Sequence, residues 1–508
     1  MKKVILTILA AGLLQSASAQ QYVIVSGEPP IIASDISKIT YEADDQFAST
    51  LLDAQLAADP NTQIFAQALQ LTGLADTLKA YWRDYDCIYP DTYRYKSHVN
   101  TEIAWYVKTR PKEFTVFAET DDVFAAQGIN NINQLKAYAK QVYDAVYPED
   151  ASITDPTNRR NSLNRFVAYH ILPFYGDYRV LRGCDDRTDG LIRCFDTKLA
   201  DISSWYATMM PGAAVKYSYA RKGGLVTGFY LNRRGVIDKP DKYGMQIRGC
   251  KLVDGNNIYM HDAFNGLYYY IDQILTYDQQ TRDQVLGGER WRVDVKTLSP
   301  DFMNNFSWGN YFGEDNSSVP DDNPTPKNGK NLIFPWDAIE NFSNTTNNPG
   351  LVMRRPHFYW WSYEGDEMNI FGEFDMTIQL PTLPAGEWEI RLGNLPIETR
   401  PTVMVWLNGT ETIESLDLSK TYADNTDLPY KVMNGPREYR PGGGTSLYET
   451  DGAVRVVLGR IQSDGKSANT LRIKTLNNGI AGNISEFYLD YLEFCPASVC
   501  DNQEIPED

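Results

Sequence analysis

The chain has 508 residues, 43% hydrophobic and 22% charged, a balance that excludes wholesale disorder. Its formal charge of −18 at pH 7 argues against nucleic acid as a partner, because binding a phosphate backbone needs basic patches. At roughly 100–200 residues per domain, the length allows several domains, each large enough to bury a core.

Lys2 and Lys3 precede an apolar run from Val4 to Leu14, and Ala17-Ser18-Ala19 supplies the small residues of a cleavage site. Residues 1–19 therefore read as a secretory signal peptide, too short to cross a bilayer. No later stretch reaches the ~20 apolar residues of a transmembrane helix. The expectation is an exported chain, placed in the periplasm, at the cell surface or outside the cell. Residues 20–50 read as an N-terminal extension.

Helical spacing comes next. After the capping-type start Asp59-Pro60-Asn61-Thr62, the apolar residues Ile64, Phe65, Ala68, Leu69, Leu71, Leu74 and Leu78 recur with helical period. Ile132, Leu135, Tyr138, Ala139, Val142 and Val146 make a second amphipathic helix, and Leu163 to His170 a third. Short strands lie among them at Phe114–Ala118, Ala213–Tyr219, Thr227–Leu231 and Leu267–Leu275. Thr120-Asp121-Asp122 follows the first strand and reads as a helix start. Acids in a first turn interact favourably with unpaired N–H groups, and adjacent helix residues do not face one another as a catalytic pair would.

The second half loses helical periodicity. A Pro/Asn/Asp/Gly-rich loop runs from Gly313 to Asn331. Alternating runs start at Arg290, Glu373, Glu387, Thr402, Ala453, Thr470 and Phe487, the pattern of a β-sandwich. Six cysteines in an exported chain permit disulfides, with Cys184–Cys194 and Cys495–Cys500 as the local candidates. The four histidines and the cysteines lack metal-ligand spacing, and no motif calls for a cofactor.

Three motifs carry a family resemblance. "TVFAETDDVF" (Thr115 to Phe124) resembles the first signature of fasciclin-like domains, T-V-F-A-P-T-D-x-A-F. "NGLYYYIDQIL" (Asn265 to Leu275) is similar to the second, and Tyr169-His170 in "YHILP" matches the family's Tyr-His segment. Glu119 stands where the family has Pro, and Tyr269 where the second signature has His. The segments Asp86–Thr109, Tyr147–Asn161 and Gly176–Cys194 stretch the domain. The resemblance implies an α+β domain over residues 51–280, a twisted β-sandwich wedge with packed helices, serving adhesion rather than catalysis. It also implies Tyr169 and His170 as an adhesion epitope, whereas the apolar neighbours Phe166, Val167, Ile171 and Leu172 read them as core. Residues 281–508 read as an all-β sandwich, and its last strands, ending "FYLDYLEFCP", resemble jelly-roll, galactose-binding-like modules that bind glycans.

"HFYWWSYEGDE" (His357 to Glu367) has two readings. Tyr359, Trp360, Trp361 and Tyr363 could stack on sugar rings, with Asp366 accepting a hydroxyl hydrogen. Alternatively the run is a core strand and a polar turn. Trp406, alternating with Val403 and Val405, has no assignment. Tyr268, Tyr269 and Tyr270 alternate sides of a strand, so at least one faces outward. The expectation is a non-catalytic protein of the bacterial cell surface contacting a glycan or an extracellular protein. The alternatives are a glycan-acting enzyme using carboxylates of the second half, and a structural component of an outer-surface complex.

Overall fold

The computed structural model describes residues 22–23, 31–32, 48–81, 85, 88–97, 101–176, 181, 201–222, 225–235, 240–241, 243–253, 260–305, 331–354, 367–421, 428–434, 454–477 and 485–502. The chain divides into two units, Met1–Ser49 and Thr50–Asp508. In the first, the short strands Tyr22–Val23 and Ile31–Ile32 pair antiparallel. Residues 1–19, read from the sequence as a signal peptide, lie outside the described residues, as do Cys184 and Cys194.

The second unit is mostly β-sheet, sandwich-like, with a few helices. Its helices form where the apolar period is 3.6. Ile132–Val146 buries Leu135, Ala139, Tyr143 and Val146, and the Asn131 side chain accepts from the N–H groups of Asn133 and Gln134 at its start. Ser162–Tyr169 is capped by Asn161. The helix expected across Ile64 to Leu78 is instead two, Gln63–Leu71 and Leu74–Thr77, because Gly73 takes the left-handed conformation (φ 73°) between them.

Asp121 and Asp122 do open a helix, Asp121–Ala126, capped by Thr120. Asp121 also reaches beyond it. Its Oδ1 accepts from the Ile64 N–H at 2.9 Å, so one carboxylate serves the first turn of the neighbouring helix as well. Asp121→Ala should therefore cost about 1 kcal/mol in urea denaturation, and Asp121→Asn, which keeps the acceptor, should cost a few tenths. An Ala variant as stable as the parent would show that this bridge contributes nothing.

The two signature segments lie side by side. Gly266–Ile271 pairs in parallel with Phe114–Glu119, within a four-stranded sheet completed by His261–Ala263 and Ile171–Leu172. Gly266 is required there: a Cβ at its φ of +154° would meet the Phe114 carbonyl oxygen at 2.1 Å. A second four-stranded sheet runs through Asp201–Ala207, Ala214–Lys222, Leu225–Leu231 and Cys250–Lys251.

Two five-stranded sheets form the sandwich. One is ordered Trp291–Asp294, Tyr491–Pro496, Gly386–Asn394, Val454–Ser463, Val432–Asn434. The other is ordered Phe342–Asn344, Asp375–Leu380, Asn469–Thr475, Thr402–Leu407, Thr410–Asp417. Trp388, Ile390 and Leu392 of the first and Val403, Val405 and Ile473 of the second join one core. Cys495 and Cys500 do not form the expected disulfide. Cys495 is buried in a strand, and Cys500 ends the short helix Ala497–Cys500, half-buried, beside Arg460 and Asp501.

The sixth sheet crosses the boundary expected at residue 280. Its order is Glu486–Leu489, Glu367–Phe371, Leu351–Arg354, Leu332–Phe334, Thr101–Tyr106, Thr92–Lys96. The join is the parallel pairing of Leu332 with Trp105 and Ile333 with Tyr106. A buried bidentate ion pair, Arg110 to Asp301 at 2.9 and 2.6 Å, ties the same two halves. Residues 51–280 and 281–508 thus share a sheet and a core.

Candidate functional site

The sugar-stacking residues read from the sequence, Tyr359, Trp360, Trp361, Tyr363 and Asp366, lie outside the described residues. Their flanking strands, Leu351–Arg354 and Glu367–Phe371, are antiparallel neighbours in the six-stranded sheet.

Tyr169 and His170 are both fully buried, which corrects the adhesion-epitope reading. The Tyr169 hydroxyl donates to the Ala214 carbonyl at 3.0 Å and accepts from Asn232 Nδ2 at 2.9 Å. His170 Nδ1 lies 2.7 Å from the Phe166 carbonyl, an acceptor only, so Nδ1 carries a proton. Its Nε2 meets Glu119 Oε1 at 2.8 Å, and that oxygen also accepts from the Leu275 N–H at 2.9 Å. Glu119, which stands where the first fasciclin-like signature has Pro, thereby joins all three motif segments.

The three tyrosines alternate as expected. Tyr269 is buried and donates to the Gly176 carbonyl. On the other side Tyr268 and Tyr270 both donate to Asp59 Oδ2, and His261 stacks on Tyr268 at 4.6 Å. Burial works against the Asp59 charge, but hydrogen bonds from Tyr270, the Asn61 backbone and Tyr268 outweigh it and lower the pKa. The phenols are thus engaged within the protein.

A different aromatic surface emerges on the six-stranded sheet. Alternation sends Leu332, Phe334, Leu351, Met353, Met368 and Ile370 toward the main core side. Cross-strand register places Tyr93, Tyr95, Glu102, Ala104, Tyr106, Ile333, Val352, Arg354, Glu367, Asn369 and Phe371 together on the opposite face. Tyr89 stacks on Tyr106 with centroids 5.0 Å apart and planes 5° apart. Tyr93 stacks on Tyr95 at 6.1 Å and meets Tyr106 edge-on, and Tyr95 packs on Phe371 at 4.4 Å. Tyr95, Tyr106 and Phe371 are the buried tier, whereas Tyr89 and Tyr93 are half-buried.

Polar groups adjoin these rings. The Arg354 guanidinium bridges two carboxylates, donating to Glu102 Oε1 at 2.5 Å and to Glu367 Oε1. Burial opposes the charge on Arg354, yet Glu367 and Glu102 raise its pKa. Tyr95 donates to Glu102 Oε2 at 2.9 Å, and Asn331 Nδ2 lies 3.2 Å from both of those oxygens. Burial pushes the Tyr95 hydroxyl well above the usual phenol range, with Glu102 adding to it, so that hydroxyl is a donor. Asn369 gives its Nδ2 to Glu367 at 3.1 Å, while its fully buried Oδ1 has no donor among the described residues.

Chemically the face offers apolar ring surfaces beside fixed acceptors and donors. Glu102 and Glu367 share the Arg354 guanidinium, and all three side chains are largely buried. Sequence reasoning missed this face because Asp86–Thr109 read as an insertion. The one local signal was the Tyr-x-Tyr alternation of Tyr93 and Tyr95.

No protein-family model matches the chain, and no curated protein matches it. Among solved structures, the chain is similar to a family 35 carbohydrate-binding module from Clostridium thermocellum, at 12% identity and a TM-score of 0.15, over 32% of this chain and 95% of that one. It is similar to the catalytic domain of a GH87 α-1,3-glucanase in complex with nigerose, at 18% identity and a TM-score of 0.18, over 31% of this chain and 28% of that one. A calcium-binding mutant of Bacteroides uniformis β-glucuronidase 2 matches at 12% identity and a TM-score of 0.20, over 56% of this chain and 22% of that one. None of these reaches the similarity that establishes a shared fold. Among the described residues, no helix is long and apolar enough to cross a membrane.

Proposed function

We propose that this chain is a non-catalytic glycan-binding protein of the bacterial cell exterior, with the Tyr89–Tyr93 face of the six-stranded sheet as its contact surface. The observation that carries the reading is the two-tier aromatic stack beside Glu102 and Asn331. Half-buried rings held by a buried tier lose little freedom when a sugar ring lies on them. The leader-like residues 1–19 support export. In this reading residues 51–280 keep a fasciclin-like arrangement, supported by the meeting of Glu119, His170 and Leu275 from its three motifs.

A glycan array probed with the protein, followed by calorimetric titration of the best binder, tests the proposal. Tyr93→Ala and Tyr89→Ala should each weaken binding about tenfold, equivalent to about 1.4 kcal/mol, with melting little changed. Binding unaltered in both variants would remove this face from the mechanism. Cleavage of the bound glycan by the parent protein would replace the binding reading with the enzymatic one.

A further inference from the structure

We infer a second glycan-contact surface, built on Trp406 at the outer face of the sandwich and shaped for a neutral saccharide. It extends the glycan-binding reading to a separate site, on a sheet that shares no strand with the Tyr89–Tyr93 face.

In the strand Thr402–Leu407, Val403, Val405 and Leu407 point into the core, so Met404 and Trp406 point out and are partly exposed. The neighbouring strands keep the same phase. Register sets Arg472 beside both Trp406 and Thr377, and Lys474 beside both Met404 and Asp375. On its other side Trp406 is paired with the exposed Glu411. Seven side chains therefore lie on adjacent positions of this sheet face.

The indole is not left to move. Asp375, 92% buried as a side chain, grips Arg472 through Nε and Nη2 at 2.7 Å each, and the guanidinium carbon sits 4.3 Å above the Trp406 ring. The Arg472 hydrogen bonds to Asp375 do not use Nη1. Such a partly exposed ion pair contributes little to folding, while the core lies on the other side of the sheet. What the arrangement does achieve is a fixed indole with a fixed guanidinium donor beside it.

The charges select the ligand class. Arg472 and Lys474 are balanced by Asp375 and Glu411, so donors and acceptors surround the ring with no net charge. Sugar hydroxyls both donate and accept, and a sugar's C–H face suits the indole. A uronate would gain at Arg472 and Lys474 but meet Asp375 and Glu411.

The test is calorimetric titration of the full chain with neutral oligosaccharides (gluco-, xylo- and manno-hexasaccharides and α-1,3-linked glucose oligomers), with oligogalacturonate as the anionic comparison. Trp406→Ala should weaken the neutral ligand about tenfold at unchanged melting temperature, and Arg472→Met, which keeps the stem but not the donors, several-fold. Tyr93→Ala run in parallel separates the two surfaces. Loss in Trp406→Ala with binding intact in Tyr93→Ala would uphold this site and overturn the other. Neutral binding untouched by Trp406→Ala and Arg472→Met, no binding by the parent to any neutral oligomer, or preference for oligogalacturonate would each overturn the inference.

Discussion

Glu493→Gln is expected to lower the stability of the protein by about 3–5 kcal/mol at neutral pH, the cost of breaking a buried charge network from one side. Glu493 is completely buried on the strand Tyr491–Pro496. Its Oε1 accepts from Arg292 at 2.7 and 3.1 Å and lies 3.6 Å from Arg290. Its Oε2 lies 3.3 Å from Arg455 and 3.5 Å from Arg391. Burial would favour the neutral acid, but Arg290, Arg455, Arg292 and Arg391 together hold its pKa well below the ordinary carboxylate range. Glutamine keeps the shape and removes the charge, leaving four desolvated guanidinium groups less compensated.

The pH dependence carries a definite sign. Because the folded pKa is depressed, the Glu493 contribution is fully present above the unfolded pKa. It is lost as pH falls through the acid range toward the folded value. Urea denaturation at a series of pH values should therefore show parent and Glu493→Gln far apart at neutrality and converging in acid. A difference below about 1 kcal/mol at neutral pH would mean that the cluster tolerates loss of its central anion, as some buried networks do.

Glu119→Ala should be comparably severe, about 3 kcal/mol or more, because it strands two buried groups at once. His170 Nε2 and the Leu275 N–H both depend on Oε1, and Glu119 and His170 are entirely inaccessible to solvent. Glu119→Gln retains an acceptor oxygen for Leu275 but not the carboxyl group that meets His170, so its cost should fall between parent and Ala. Amide hydrogen exchange gives a local readout: the Leu275 N–H should lose protection in the Ala variant. Unchanged protection and stability would show that the three motifs are held by packing alone.

Much of the secondary structure was legible in the residue pattern. The helices Ile132–Val146 and Ser162–Tyr169 follow from apolar period and capping residues, and Asp121 and Asp122 open a helix as first-turn acids do. Most of the second-half alternations are strands. The break at Gly73 was local too, but helical spacing ran on across it. These features depend on neighbours a few residues away, so the sequence displays them.

What lies far apart was decided only by the tertiary structure. The six-stranded sheet forms when Thr101–Tyr106 pairs with Leu332–Phe334, bringing Glu102 within hydrogen-bonding reach of an asparagine 229 residues away. Nothing near Glu102 announces that partner, and the aromatic face exists only once the strands align. The environment of the polar faces was decided in the same way. Alternation in Arg290–Lys296 and Phe487–Phe494 implies one wet face, yet Arg292, Asp294, Lys296 and Glu493 are as buried as the apolar residues between them. Period two tells which residues share a face of a sheet; whether that face meets water, charge or another layer depends on where the rest of the chain comes to lie.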